Sequence, residues 1–78
     1  MRQSKVVSSF HNKTGYLIYR LLNGKFVSAS RYIWQQHNGK IPEGYEVDHI
    51  DNNITNNSID NFQLLTKKEN LSKRWYND

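Results

Sequence analysis

The residues best equipped for chemistry in this chain of 78 are Asp48, His49 and Asn70. A carboxylate and an amide oxygen suit a hard divalent cation such as Mg²⁺, whose shell is completed by water and substrate phosphate. An imidazole titrates near neutrality, so His49 can serve as a base while the carboxylate beside it remains a ligand. Between His49 and Asn70 lies a crowd of asparagines: Asn52, Asn53, Asn56, Asn57 and Asn61. Asparagine packs poorly in cores and strands, but its side chain folds turns by bonding nearby backbone, and it tolerates positive φ. The loop at whose entrance the Asp-His pair stands is therefore expected to order itself.

Chemistry at these positions requires elements that hold them. "YEVDHI" reads as a short strand running up to the loop, and "NFQLL" as its antiparallel partner. In "TKKENLSKRWYN", Thr66 and Glu69 form a T-x-x-E capping box that starts a helix. Asp48 then ends the first strand and Asn70 sits one turn inside the helix, so packing the hairpin on the helix lets them converge. His49 should point to the opposite strand face unless the strand breaks there. Upstream, "GYLIYRLLNGKFVSA" reads as a β-hairpin whose Asn23-Gly24 pair favours a type I′ turn. Ser28 or Ser30 can cap a helix in "RYIWQQHNG", with Ile33, Trp34 and His37 on one face and Gly39 ending it. "KIPEG" is a turn. The expected fold class is α+β: an N-terminal β-hairpin and short helix (15–39), then a ββα unit (45–76), within one domain spanning 1–78.

Composition narrows the partners. There is no cysteine, which excludes disulfides and thiolate zinc sites, and the three histidines are scattered. No apolar run approaches a signal h-region or a membrane span. Aromatic residues at 13% argue against disorder, and in so small a domain most are expected in the core. Residues 1–40 carry seven bases and no acid, whereas 41–78 carry four bases and seven acids. An ordinary solvated basic surface is the bland explanation, but forty residues without an acid favour a polyanion such as nucleic acid. Arg20, Lys25 and Arg31 would line its path. Lys73 and Arg74 lie three and four residues beyond Asn70, hence on its helix face and near the candidate cation site. His11 and His37 read as bystanders.

The stretch "VDHIDNN…NNSIDNFQLLTKKEN" closely resembles the HNH endonucleases, the ββα-metal nucleases, in the version whose last motif residue is asparagine. Asp48-His49, Asn61 twelve residues on, and Asn70 nine residues further match that motif at its spacing. The phrases "NN-x-I-x-N" and "L-T-x-x-E-N" are similar to small phage and intron-encoded members, and the likeness covers roughly residues 16–74. It implies that His49 is the general base, and that Asp48 and Asn70 hold one Mg²⁺ (or Mn²⁺). Asn61 would be the asparagine that pins loop and base. The substrate would be DNA, nicked on one strand by a monomer or weak dimer, with no membrane, in the cytoplasm of a bacterial host if the chain is phage-encoded. His49→Ala should then abolish cleavage with little effect on the fold. Two departures stand out: Ser30 replaces a histidine that relatives often carry before the arginine, and only eight residues follow Asn70, where many homing members continue into a further DNA-binding region. The competing reading is a DNA-binding or protein-interaction module that has kept the fold without catalysis.

Overall fold

The computed structural model describes residues 4–76, with side chains through Lys73. Three strands, β1 (Val6–His11), β2 (Leu17–Leu21) and β3 (Phe26–Ser28), form an antiparallel sheet in that order. Helix α1 (Ala29–Asn38) follows directly. Strands β4 (Tyr45–His49) and β5 (Phe62–Thr66) form a second, two-stranded antiparallel sheet, and helix α2 (Lys67–Tyr76) follows β5. This is the expected α+β arrangement, with a hairpin and helix ahead of a ββα unit.

Two local features differ from the reading above. The first is β1, which sequence patterning did not single out. Its run is polar in the middle and mostly exposed, so no alternation marks it, yet it completes the sheet by pairing with β2 from Val6↔Leu21 to His11↔Leu17. The register slips between Val6 and Ser8, leaving Val7 as a bulge of the kind common at sheet edges. The second is the turn between β2 and β3. Gly24 has φ 86°, but Asn23 does not reach positive φ, so the type I′ expectation fails. The amide of Gly24 donates to Leu21 O and that of Leu21 to Lys25 O, at 2.9 and 2.8 Å. Those bonds close a three-residue loop with glycine at the left-handed position. Asn23 contributes its side-chain oxygen, which accepts from the Lys25 amide at 3.0 Å.

Helix α1 joins the two halves. Ser28 caps it, accepting from the Arg31 amide, and Gly39 ends it at φ 83°. One face of the helix covers β2, where Tyr19 and Tyr32 meet edge to face at 5.5 Å. The same helix also touches β4 and the 3₁₀ turn at Ile59–Asn61. The core is correspondingly small: among the described residues its buried apolar members are Leu21, Ala29, Ile41 and Phe62. Phe26 and Tyr45, expected in the core, are exposed instead.

The ββα unit forms from its own local signals. β4 pairs with β5 from Tyr45↔Thr66 to His49↔Phe62. At the start of α2 the capping box closes in both directions: Thr66 N donates to Glu69 Oε1 at 2.9 Å, and Glu69 N to Thr66 Oγ1 at 3.1 Å. These bonds hold the Glu69 carboxyl below its ordinary pKa, the Thr66 amide contributing most.

Candidate active site

The loop between β4 and β5 folds by side-chain bonds to its own backbone. Asp51 Oδ1 accepts from the Asn53 amide at 2.8 Å, and Asn53 Oδ1 accepts from the Thr55 amide and hydroxyl. Asn52 takes φ 62°, a left-handed conformation that asparagine tolerates. Asn61, buried at the far end, ties the loop shut. Its Nδ2 donates to Asp51 Oδ1 (2.9 Å) and to Asn56 O (3.0 Å), while its Oδ1 accepts from the Asp51 amide at 3.2 Å. Its carbonyl also receives the Ile50 amide at 2.8 Å.

Asp51, which sequence reasoning passed over, is the hub of this loop. Bonds from Asn56, from the Asn53 amide and from Asn61, with a smaller contribution from the charge of His49, bring its pKa down to about 2. A carboxyl whose folded pKa is depressed adds stability above its unfolded pKa of 3.8, and that stability is lost as pH falls through about 2. Acidification between those values should therefore open the loop. Amide exchange at Asn53 and Asp51, followed by NMR in that window, should accelerate in the wild type. In an Asp51→Asn variant the same amides should show no such step. An identical profile in both proteins would contradict the assignment.

His49 is part of this construction. β4 does not break before it, so Asp48 and His49 leave opposite faces of the strand end. His49 is only 6% exposed, packed edge-on against Phe62 at 5.4 Å with Tyr16 at 6.5 Å. The expectation that its removal would leave the fold nearly untouched is thus corrected: the ring is part of the interior. Nε2 lies 2.9 Å from Asn57 Oδ1. With that amide oxygen as acceptor, Nε2 carries the proton and Nδ1 keeps its lone pair. Among the described residues, none hydrogen-bonds Nδ1. Asn57 faces the ring directly, whereas Asn61 acts one layer away, on the loop.

On the other face of β4, Glu46 and Asp48 point toward α2, two residues apart as strand geometry requires. Asn70 does not bond Asp48; its amide donates to Glu46 Oε1. Asp48 Oδ2 accepts from Gln63 Nε2 at 2.9 Å and forms an ion pair with Lys73 Nζ at 2.5 Å. The same ammonium donates to the carbonyls of His49 (2.7 Å) and Ile50 (3.4 Å). Lys73 thus fills an all-oxygen cradle. Glu46 and Gln63 carry no motif signal; their roles follow from being beside Asp48, on its own strand and across the ladder.

These groups share one cleft of about 880 Å³, lined among others by Tyr16, Arg31, Glu46, Asp48, His49, Asn70 and Lys73. Ser30 lines it too, largely buried against Ser28. Of the five cations expected to meet DNA, Arg31 and Lys73 border the cleft, while Arg20 and Lys25 are exposed on the three-stranded sheet and its turn. The side chain of Arg74 lies outside the described residues. His11 and His37 are exposed and take no part in the cleft.

The oxygen donors suit a hard divalent cation, and an ammonium already held among Asp48 and two carbonyls shows that the cradle accepts positive charge. The carboxylates of Glu46 and Asp48 and the amide of Asn70 are the residues that could hold such an ion. Among the described residues no cluster of three or more His, Asp or Glu side chains converges, so the protein by itself offers a sparse site.

A family model described as HNH endonuclease matches residues 27–72. An uncharacterized gene 5.3 protein of Enterobacteria phage T3 is 33% identical over 72 residues, covering 86% of this chain and 71% of the relative. Protein 3.8 of Escherichia phage T7 is 50% identical over 38 residues, 49% of this chain and 31% of that protein. No solved structure matches the chain. No described helix is long and apolar enough to cross a membrane.

Proposed function

The chain belongs to the HNH endonuclease family, and from that premise we propose that it hydrolyses phosphodiester bonds of DNA with Mg²⁺ or Mn²⁺, one strand at a time. The observation that carries this reading is the setting of His49: a buried ring whose Nε2 meets Asn57, lining the same cleft as Asp48, Asn70 and Lys73. Nδ1 takes a proton from a water molecule as its oxygen attacks the scissile phosphorus, and the bond to the 3′ oxygen breaks. The Nε2–H bond to Asn57 then stabilises the imidazolium. Asp48, Asn70 and Glu46 would hold the metal, which supplies neutralisation of the phosphate and of the charge on the leaving oxygen. Arg31, bordering the cleft, and Arg20 and Lys25, on the sheet, would bind flanking phosphates. A single site cuts a single strand, so nicking is the expected product of a monomer.

The test is supercoiled plasmid incubated with Mg²⁺ or Mn²⁺, with and without chelator. Nicked circles that vanish with chelator and in an Asp48→Ala variant support the reading. A pure, folded wild type that leaves the plasmid supercoiled in both metals would instead favour a binding module on the same fold.

Lys73 makes a sharper prediction. Its ammonium sits where the cation's charge belongs, so a metal must displace it or bind against its repulsion. Lys73→Met should therefore tighten Mn²⁺ binding to the DNA-free protein by on the order of tenfold, about 1.4 kcal/mol. The same change should slow nicking, because a cation beside the phosphate is lost. Mn²⁺ affinity read by electron paramagnetic resonance and nicking rate should move in opposite directions; unchanged affinity would show that Lys73 and the metal do not compete.

A further inference from the structure

One face of the three-stranded sheet packs on α1; the other is left open and carries two aromatic rings. Phe10, Ile18 and Ser28 are direct partners across β1, β2 and β3, and Ser8, Arg20 and Phe26 form the adjoining row, so all six side chains share that face. Phe10 is 46% exposed and Phe26 60%, although aromatic residues in a domain this small belong in its core. Their rings meet at 84° with centroids 5.9 Å apart, which forms a corner with one ring face and one ring edge turned toward each other. Arg20 stands directly across from Phe26, exposed and without an ion-pair partner among the described residues.

We propose that Phe10, Phe26 and Arg20 form a stacking platform for unpaired bases of a nucleic acid strand that continues into the cleft. The inference rests on the nuclease reading of that cleft, to which it adds where the neighbouring nucleotides go. Three observations select this occupant. The face belongs to the acid-free half of the chain, with seven bases in residues 1–40, so its charge complements a polyanion and not an average protein surface. It is continuous with the cleft: Ser28, in the same row as Phe10, lines the cleft. Two strand spacings separate Phe10 from Ser28, about 10 Å, and Phe26 lies about 7 Å before Ser28 along β3. At roughly 3.4 Å per stacked nucleotide, the rings sit two or three nucleotides from the cleft rim. Finally, the apolar area is too small for a protein partner. The two exposed ring portions amount to roughly 200 Å², against about 800 Å² per partner in a stable interface.

Bases held in a duplex already stack on one another, so a protein ring reaches a base face only where the strand is open. The platform therefore favours single-stranded, gapped or distorted substrates over plain duplex. Arg20 would hold the backbone phosphate beside the stacked base, or lay its planar guanidinium on that base.

The experiment measures fluorescence anisotropy of labelled single-stranded, gapped and duplex oligonucleotides across a salt series, with the full chain. Phe10→Ala and Phe26→Ala should each weaken single-strand and gapped binding about tenfold, within the range measured for base–aromatic stacking. The slope of log K against log salt should stay unchanged for both. Phe26→Tyr should bind like wild type, whereas Phe26→Leu, which keeps apolar area without a π face, should bind like Phe26→Ala. Arg20→Ala should flatten the salt slope by roughly 0.7 on single strands. Because both rings are substantially exposed, these variants should melt within a few degrees of wild type. Wild-type affinity in the Phe10→Ala/Phe26→Ala protein overturns the proposal, as does full rescue by Phe26→Leu. A concentration-dependent dimer that the double variant abolishes also overturns it, in favour of a copy interface. Plasmid nicking in parallel separates the two readings. Phenylalanine-dependent binding without nicking sinks the nuclease and keeps the platform; nicking with phenylalanine-independent binding does the reverse.

Discussion

The His49→Ala variant is expected to lose about 10²–10⁴-fold in nicking rate, the usual cost of removing a general base. It should also be less stable, which separates this site from an exposed catalytic histidine. The ring is 6% exposed, packs on Phe62, and supplies the partner of Asn57 Oδ1. Its removal leaves a void and an amide without its bond, together worth about 2–3 kcal/mol. Because a chain of this size has on the order of 4–12 kcal/mol to lose, the rate must be measured where circular dichroism shows the variant folded. His49→Gln supplies the control: an amide nitrogen can still meet Asn57, but the side chain accepts no proton at neutral pH. Nicking by His49→Gln at the wild-type rate would remove His49 from the role of base. Asn57→Ala should lower the rate less than His49→Ala, since the Nε2–H bond that sets the tautomer is lost but the base remains.

Asn61→Ala is expected to give the largest loss of stability in the loop. Three side-chain hydrogen bonds disappear at a buried position, and the Asp51 amide and the Asn56 carbonyl lose their partners. At about 1 kcal/mol for each bond, with an added cost for groups left unpaired, the loss is about 2–4 kcal/mol. In a domain this small that should lower Tm by more than ten degrees. Activity should fall with the folded population, and also below it, because the same loop presents Asn57 to His49. The measurements are thermal denaturation and nicking rates corrected for the folded fraction. A melting temperature within two or three degrees of wild type would show that the loop holds itself without Asn61. Asn61→Asp is the companion variant: it keeps the acceptor but places a second carboxylate against Asp51, so it should be no better than alanine.

Local signals wrote much of this protein. The capping box at Thr66 and Glu69, the Ser28 and Gly39 ends of α1, and the asparagine turns within the loop all depend on residues a few positions apart. Such interactions are legible because a side chain a few positions from its partner needs no fold to reach it. The turn after Leu22 shows the limit of that legibility: Asn-Gly is compatible with two loop lengths, and the pairing of β2 with β3 chose the longer one. Strand β1 was invisible for a related reason, since an edge strand with few buried residues leaves no periodic mark and gains its order from the strand beside it.

What tertiary structure alone decided is who partners whom in the cleft. Asp48, His49 and Asn70 were readable as residue types at telling distances along the chain. Nothing in that spacing says that Asn70 would meet Glu46, that Lys73 would take Asp48, or that Asn57 would hold the imidazole. Those pairings join β4 to α2 and to the loop across 8 to 25 residues. They follow from packing geometry, where an offset of one residue turns a side chain to the other strand face. Burial was decided in the same way. The sequence contains aromatic residues in plenty, but only the position of α1 on one side of the sheet leaves Phe10 and Phe26 on the open side. Residue type and local spacing determine what chemistry the chain can carry; the packing of helices against sheets determines which atoms face one another to perform it.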